Sequence, residues 1–186
     1  PYADTNFGEA FRLANAADNQ DAIFLVDYRP YPPSYEAPAS FIASPSFKDN
    51  VKVGVAIFQM PVDRLNAIMQ ERSGMGETGE SYLVGSDHLM RSDSYLDPVG
   101  HSIAASFAGT VEENGVDTVA VQRALAGQPG SDVIIDYNGN PVLSAYAPLE
   151  VGDEVWALMA EIDEAEVHIP IKKLRRAVLL AGVLIG

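Results

Sequence analysis

The sequence contains no cysteine, which excludes disulfide bonds, cysteine-ligated zinc sites and thiol nucleophiles together. Histidine is also scarce, with three residues among 186. None of the three stands in an H-E-x-x-H zinc motif or near the G-x-S-x-G elbow of a serine hydrolase. We therefore expect no metal site, no cofactor and no catalytic centre, so the chain is not expected to be an enzyme.

Basic residues are few. Lysine and arginine number 12 against 26 aspartates and glutamates, and the net charge is −14. An acidic surface repels phosphate backbones, so nucleic acid is excluded as an expected partner. Direct binding to anionic lipid headgroups is disfavoured for the same reason.

Long apolar runs are absent until the last ten residues, AVLLAGVLIG (177–186). They follow a basic cluster at 172–176 and are fewer than the roughly 20 residues that a membrane span needs. They could form a buried strand or helix, but their uniform apolarity favours the start of a transmembrane helix. The opening residues show no signal-peptide pattern. We interpret the sequence as a fragment at both ends.

Periodicity and turn residues predict most of the elements. Strands are expected at 21–28, 39–47 and 51–60, then as a hairpin at 81–84 and 88–92, and as an antiparallel meander at 131–137, 141–149 and 155–163. Helices are expected at 5–17, 61–72, 117–127 and 164–176, with Asp117 as the N-cap of the third. The acidic residues Asp163, Glu164 and Glu166 are interpreted as a solvated face at the start of the last helix.

Two parts of the chain resemble each other. FLVDY, ASFIASP and VKVGVAIFQMPVDRL occur in the same order as VIIDY, VLSAYAPL and EVWALMAEIDEAE. Each copy runs strand, loop, strand, turn, strand and helix. The repeat predicts an α+β chain with two similar modules in tandem, the first of which lacks its N-terminal half.

The loop RPYPPSYEAP (29–38) differs most between the copies, and its four prolines argue against a regular element. Tyr28, Tyr31 and Tyr35 lie within eight residues, with Arg29 among them. Tyrosine combines a flat apolar face with a polar tip, which suits a pocket for a small ligand. The same rings could instead close the end of the module's own core, and both alternatives stay open.

The stretch GMGETGE (74–80) has the G-x-G-x-x-G spacing of a dinucleotide-binding loop. That loop requires a strand before the glycines and a helix after them. Here a helix precedes and a strand follows, and two glutamates would repel a phosphate. We interpret the stretch as a connector between two modules.

Three longer stretches carry a family resemblance. VGVAIFQMPVDRLNAIM, GMGETGESYLVGSDHLMRSDS and VLSAYAPLEVGDEVWALMAEIDEAEV resemble the double Cache (dCache) sensor domain of bacterial chemoreceptors, sensor histidine kinases and membrane-bound cyclases. The resemblance implies two tandem PAS-like modules with antiparallel sheets. Residues 1–72 would be the C-terminal part of the membrane-distal module, 73–166 the membrane-proximal module, and 167–186 a juxtamembrane helix with the start of a transmembrane segment.

This resemblance implies extracytoplasmic sensing of a small ligand and signalling across the bacterial inner membrane, with the segment in the periplasm. The expected protein is a methyl-accepting chemotaxis receptor that works as a homodimer and is attached to the membrane by its C-terminal helix. The same sensor on a histidine kinase, a nucleotide cyclase or a phosphatase is an alternative. A soluble α/β enzyme is a more remote one.

The resemblance also places ligand-binding residues. The distal site would include Tyr28 or Tyr31, and Gln59 would replace the family's aspartate on the last distal strand. Because neutral glutamine pairs poorly with an ammonium group, a carboxylate, an amide-bearing or a less charged ligand is favoured over a standard α-amino acid. The expected ligand is therefore a carboxylate or an amino-acid-like molecule.

Seven residues could line a pocket in the proximal module, and four of them are the main candidates for ligand binding: Tyr82, Arg91, Asp93 and Tyr146. The other three are Met90, Ser92 and Ser144. Arg91 could bind a ligand carboxylate through two parallel hydrogen bonds, or form a salt bridge with Asp93 or a glutamate.

Overall fold

The structure is a computed structural model that describes residues 2–169. Its elements in chain order are α1 (Asn6–Ala16), β1 (Phe24–Pro30), a 3-10 turn (Pro32–Ser34), β2 (Pro38–Lys48), β3 (Val51–Gln59), α2 (Val62–Met69), β4 (Glu80–Val84), α3 (Ile103–Ala108), α4 (Val111–Asn114), α5 (Val119–Leu125), β5 (Gly130–Ile135), β6 (Pro141–Val151) and β7 (Glu154–Asp163). A helical stretch follows from 164 to 169.

These elements form two antiparallel sheets, which confirms the α+β class. The first sheet has the order β1-β2-β3 and the second has the order β4-β7-β6-β5. Within residues 2–169 no helix is both long and apolar enough to cross a membrane. The apolar run 177–186, where we predict the start of a transmembrane helix, lies outside the described residues.

The first sheet has α1 packed on one face. Thr5 caps the helix by accepting a hydrogen bond from the Gly8 amide. Ala10 and Ala14 lie on the buried side of the helix, and their small side chains contact a core that includes Val26 and Phe41. The prediction of a helix at 5–17 is therefore confirmed to within one residue at each end.

The second sheet is the predicted meander with β4 added beside β7. Gly139 and Gly152 both have positive φ, +84° and +65°, in the turns that join β5 to β6 and β6 to β7. α5 packs on β6 and β7 through buried Ala120, Val121 and Ala124. Because β4 joins at the far side, β7 is flanked by strands on both edges.

The predicted hairpin at 81–92 is wrong in its second strand. β4 forms, but it meets residues 88–92 only through an isolated bridge between Val84 and Met90. Side chains replace the ladder beyond it: the Leu83 amide donates to Ser92 Oγ at 2.9 Å, and the Met90 amide donates to Ser106 Oγ at 2.9 Å. Serine side chains that capture backbone amides compete with strand pairing.

Two other local predictions also need correction. The N-cap of α5 is Thr118, whose hydroxyl accepts from the Val121 amide at 3.3 Å, while Asp117 accepts from the Gln122 side chain. The proline-rich loop is shorter than expected, because Arg29 and Pro30 still pair with β2. Proline is tolerated there because β1 is an edge strand.

The hydrophobic cores do not follow the division into two sheets. Tyr28 of β1 belongs to the core of the second sheet, together with Tyr82, Met159 and Trp156. The register of β1 against β2 shifts between Val26 and Arg29, so Asp27 and Tyr28 form a β-bulge. Below, this region between the two sheets is called the junction.

Asn6 anchors the backbone of this bulge, because its side-chain amide donates to the carbonyls of Ala39 at 2.5 Å and Asp27 at 3.3 Å. We expect Asn6→Ala to destabilise the chain by about 1–3 kcal/mol, since two carbonyls would lose a buried donor. Urea unfolding measures the change. Asn15→Ala, on the exposed part of the same helix, is the matched control and should change stability by less than about 0.5 kcal/mol; equal losses in both variants would contradict the assignment.

Candidate functional site

The loop tyrosines go to different places. Tyr31 is 9% exposed and packs edge-on against Phe41, with ring centroids 5.1 Å apart. Burial, and then the nearby Tyr2, raises the pKa of Tyr31. Tyr35 is 99% exposed and adopts left-handed backbone geometry just after the 3-10 turn. Tyr31 thus closes the first sheet's own core, as one of the two alternatives expected.

Gln59 lies on the same face of the first sheet as Tyr31. It pairs with Phe41 across β2 and β3, and directly paired residues of an antiparallel ladder point to the same side. Phe7 of α1 packs edge-on against Phe41 at 5.4 Å. Phe41, which is 3% exposed, therefore lies at the centre of a buried aromatic cluster with Tyr31 and Phe7, and the polar Gln59 lies exposed at its border.

Phe7 also lines a cleft of about 420 Å³ at the start of α1. This cleft, called the aromatic cleft below, is lined by Tyr2, Ala3, Phe7, Gly8, Phe11 and Arg12. It combines apolar ring surfaces with one guanidinium group. That composition suits a small molecule with an apolar part and a carboxylate.

Tyr28 and Arg29 lie elsewhere. The Tyr28 ring is buried between Trp156 and Phe107, with centroid distances of 6.3 and 6.5 Å. Burial, helped by the Asp27 charge, raises the pKa of Tyr28 to about 12. Arg29 forms a half-exposed salt bridge with Glu9 at 2.7 Å. The structure therefore does not bring the four predicted loop residues into one pocket.

Arg91 binds the chain's own carboxylates rather than the partners that we predicted. Its Nη2 lies 2.7 Å from Asp27 Oδ2 and its Nη1 lies 2.9 Å from Asp87 Oδ1, so the expectation of Asp93 or a glutamate was wrong. Burial alone would lower the Arg91 pKa, but the hydrogen bonds to Asp27 and Asp87 outweigh it and the pKa is raised. The pairing could not be read from local sequence, because Asp27 lies 64 positions away.

Asp93 joins two helices. Its carboxylate accepts from the Asn66 side chain at 2.7 Å and from the Ile103 amide at 2.8 Å, and its own amide donates to Asn66 Oδ1 at 2.8 Å. These bonds join the middle of α2, at Asn66, to the first residue of α3, Ile103.

A row of polar side chains crosses the inner face of the second sheet, on the side covered by α5. The paired residues Glu80, Glu161, Ser144 and Asp132 come from β4, β7, β6 and β5 in turn. Tyr146 ends this row, since its hydroxyl donates to Asp132 at 2.8 Å and accepts from Arg123 at 2.9 Å.

The two glutamates in the row differ in their hydrogen bonds. Glu80 accepts from the Ser94 hydroxyl at 2.7 Å, from the Tyr95 and Leu96 amides, and from the Tyr137 hydroxyl. Through Oε2, Glu161 accepts from the Tyr82 hydroxyl at 2.8 Å, while its Oε1 and the adjacent Ser144 hydroxyl have no hydrogen-bond partner among the described residues. Burial raises the pKa of Glu161, and the hydrogen bond from the Tyr82 hydroxyl opposes the shift without cancelling it.

Two predicted pocket residues, Tyr82 and Tyr146, contact this row, and their role in binding stays a prediction, whereas the sequence analysis did not name Glu80 or Glu161. A signal was present, because Glu161 interrupts the apolar strand VWALMAEID at a position whose alternation places it inward. Within residues 2–169 no group of histidines and carboxylates has the geometry of a metal site.

The G-x-G-x-x-G stretch holds an anion that the chain itself supplies. Glu166 accepts hydrogen bonds from the Glu77 amide at 2.9 Å and from the Thr78 amide and hydroxyl at 2.8 and 2.6 Å. A Cβ at Gly76, which has φ +73°, would lie 2.2 Å from this carboxylate. The interpretation of Glu166 as part of a solvated helix face was therefore wrong, and the connector is fastened to the helical stretch that follows β7.

No protein-family model matches the chain, and no curated protein sequence matches it. Solved structures of similar fold include three sensor domains of bacterial chemoreceptors. The periplasmic sensory domain of the Campylobacter jejuni chemoreceptor Tlp1 aligns with 90% of this chain at 15% identity and a TM-score of 0.60. The ligand-binding domain of the Pseudomonas fluorescens chemoreceptor CtaA, in complex with L-leucine, aligns with 88% of this chain at 13% identity and a TM-score of 0.51. The ligand-binding domain of the Pseudomonas aeruginosa chemoreceptor PctB, in complex with L-Arg, aligns with 86% of this chain at 16% identity and a TM-score of 0.52.

The chain spans 58%, 61% and 60% of the lengths of these three domains. Its fold is thus similar to periplasmic ligand-binding sensor domains of the dCache type, over somewhat more than half of such a domain.

The contact between Glu166 and the connector generates a prediction. We expect Glu166→Gln to speed hydrogen exchange at the Glu77 and Thr78 amides by about tenfold, since a neutral acceptor is weaker than a carboxylate. Backbone and side-chain hydrogen bonds from Thr78 and Glu77 lower the pKa of Glu166, so the wild-type protection should also fall when acid protonates this group. Glu164→Gln, on the neighbouring exposed position, should leave both amides unchanged; an equal effect there would refute the contact.

The incompletely hydrogen-bonded carboxyl group of Glu161 leads to a second prediction. Because the pKa of this group is higher in the folded state than its ordinary value of 4.5, the folded chain binds more protons than the unfolded chain between the two pKa values. The free energy of unfolding therefore falls as the pH rises from 4.5 through the folded-state pKa. We expect Glu161→Gln to gain about 1 kcal/mol relative to wild type at pH 7, because an uncharged amide is cheaper to bury. Urea unfolding at pH 4 and pH 7 measures the difference, which should shrink at pH 4; a constant difference would show that Glu161 does not titrate in this way.

Proposed function

We propose that this chain senses a small extracytoplasmic ligand as part of a transmembrane receptor, most specifically a methyl-accepting chemotaxis receptor. The observation that carries the proposal is the similarity of its fold, over 90% of its length, to a periplasmic chemoreceptor sensory domain. In this proposal the chain lies in the periplasm of a bacterium and the segment after 167 attaches it to the inner membrane. The receptor acts as a homodimer.

The proposed modules follow the two sheets. Residues 1–72 belong to the membrane-distal module and residues 73–166 to the membrane-proximal one. In the internal repeat, β3 corresponds to β7. β7 is flanked by β6 and β4, whereas β3 pairs only with β2 within the described range. Among the described residues, the repeated strand is therefore internal in the second sheet and at the edge of the first.

The proposed ligand is a carboxylate or an amino-acid-like molecule that binds at the distal module. Solved domains of similar fold contain L-leucine, L-Arg and GABA. In this chain the aromatic cleft, which shares Phe7 with the buried cluster around Phe41, and the exposed Gln59 offer suitable chemistry. Tyr31 supports this face of the sheet from the core and is not proposed to contact the ligand, nor is Tyr28, which lies in the core of the second sheet.

Gln59 allows a sharp test. We expect Gln59→Asp in the full-length protein to strengthen binding of α-amino acids by about tenfold, because a carboxylate makes a charge-assisted bond with their ammonium group. The same change should weaken binding of simple dicarboxylates through like-charge repulsion. Calorimetric titration with a panel of amino acids and C3–C5 carboxylates measures both effects.

Gln70→Asp is the matched control, because it adds the same charge at the end of α2. It should leave all affinities unchanged. If no compound of the panel binds the wild-type protein, the proposed ligand class is wrong; if both variants shift affinities alike, Gln59 does not contact the ligand.

A further inference from the structure

The bulge in β1 directs two adjacent side chains from the first sheet into the second. The residue before it, Val26, still packs in the core of the first sheet. Asp27 and Tyr28 then lie outside the regular β1–β2 register. The Asp27 carboxylate meets Arg91, and the Tyr28 ring enters the core of the second sheet. Without the bulge, alternation would point one of the two back toward α1.

The first sheet holds this bulge in place. Asn6 of α1 donates to the Asp27 carbonyl at 3.3 Å, and the Tyr28 amide donates to Asp27 Oδ1 at 2.8 Å. The same carboxylate accepts from Arg91 Nε at 2.9 Å and from Nη2 at 2.7 Å. The geometry of Asp27 is therefore determined from both sheets.

The second sheet holds Arg91 just as firmly. Its guanidinium donates to the Leu89 carbonyl at 3.0 Å and lies 5.2 Å from the centre of the Phe107 ring. A Cβ at Gly85 would lie 2.2 Å from the guanidinium carbon, so glycine leaves the space that this group occupies. The Arg91 side chain is 2% exposed and that of Asp27 is 12% exposed.

We propose that the Asp27–Arg91 ion pair is a conformational coupling device that makes the two sheets open as one cooperative unit. If the pair separated, Arg91 would keep Asp87 at 2.9 Å, but the Asp27 carboxylate, 12% exposed, would lose its cation. A buried charge without a partner is strongly disfavoured, so partial separation is unfavourable. Displacement of β1 is transmitted to the turn after β4 while the pair is closed. This inference does not depend on which ligand binds or on whether one binds.

Native-state hydrogen exchange in wild type is the first test. The amides of β2 and β6 should lose protection at the same urea concentration. Trp156, the only tryptophan in the chain, lies at the junction and should report the same transition by fluorescence. If β2 opens at lower urea while β6 and Trp156 remain native, the two sheets are independent and the proposal is overturned.

Variants provide the second test. The quantity measured is the ratio of the hydrogen-exchange rate of the β2 amides to that of the β6 amides. In Asp27→Asn this ratio should rise by about tenfold or more. The double variant Asp27→Asn/Arg91→Leu removes both charges of the pair and leaves only the Asp87 carboxylate, which is 42% exposed and hydrated, without its guanidinium partner. It should fold and show the same change in ratio. Glu9→Gln breaks the exposed pair with Arg29 inside the first sheet's own unit and should leave the ratio at its wild-type value. A wild-type ratio in both junction variants, or an equal change in the control, would overturn the proposal.

Discussion

The burial of one guanidinium group constrains much of this structure. Arg91 is surrounded by protein, and a buried cation must be neutralised and hydrogen-bonded or the fold loses several kcal/mol. Asp27 can supply that charge only because β1 bulges, and the bulge persists only because Asn6 satisfies the carbonyl that leaves the ladder. Gly85 gives the guanidinium its space. The arrangement of the two sheets therefore follows from electrostatics as much as from apolar packing.

The same physical rule explains the contrast between the two buried glutamates. Glu80 has a donor for each oxygen and fastens residues 94–96 to the sheet, whereas Glu161 has one tyrosine and an unpaired oxygen. Burial without compensation favours the neutral acid, which is why the pKa of Glu161 is raised. Adjacent positions on one face thus hold one carboxyl group with donors at both oxygens and one with a single hydroxyl donor.

Local chemistry made much of the fold predictable. Alternation and glycine turns identified the β5–β7 meander, and apolar spacing identified α1, because both signals act within a few residues. The predictions of the α5 N-cap and of a second strand after β4 were wrong, because Thr118 and Ser92 form side-chain hydrogen bonds that hydrophobic periodicity does not encode. The site was less predictable. Tyr28, Tyr31 and Tyr35 are close in sequence but lie in different environments. Tyr28 lies at the junction because of the β-bulge, Tyr31 lies in the core of the first sheet, and Tyr35 is exposed after the 3-10 turn. Tertiary contacts, which the local sequence does not encode, determine these positions.

The glycine-rich connector has the G-x-G-x-x-G spacing of an anion-binding loop and does bind an anion, but the anion is not a nucleotide phosphate. Consecutive backbone amides that point the same way attract an anion whatever its source. In a nucleotide-binding loop a helix follows and the anion is a phosphate; here a strand follows and the anion is the Glu166 carboxylate. Arg72 donates to the carbonyls of the same loop and so arranges its amides. Because Glu166 lies just beyond β7, the loop ties the entry to the second sheet to its exit, and movement of either end is resisted by the other.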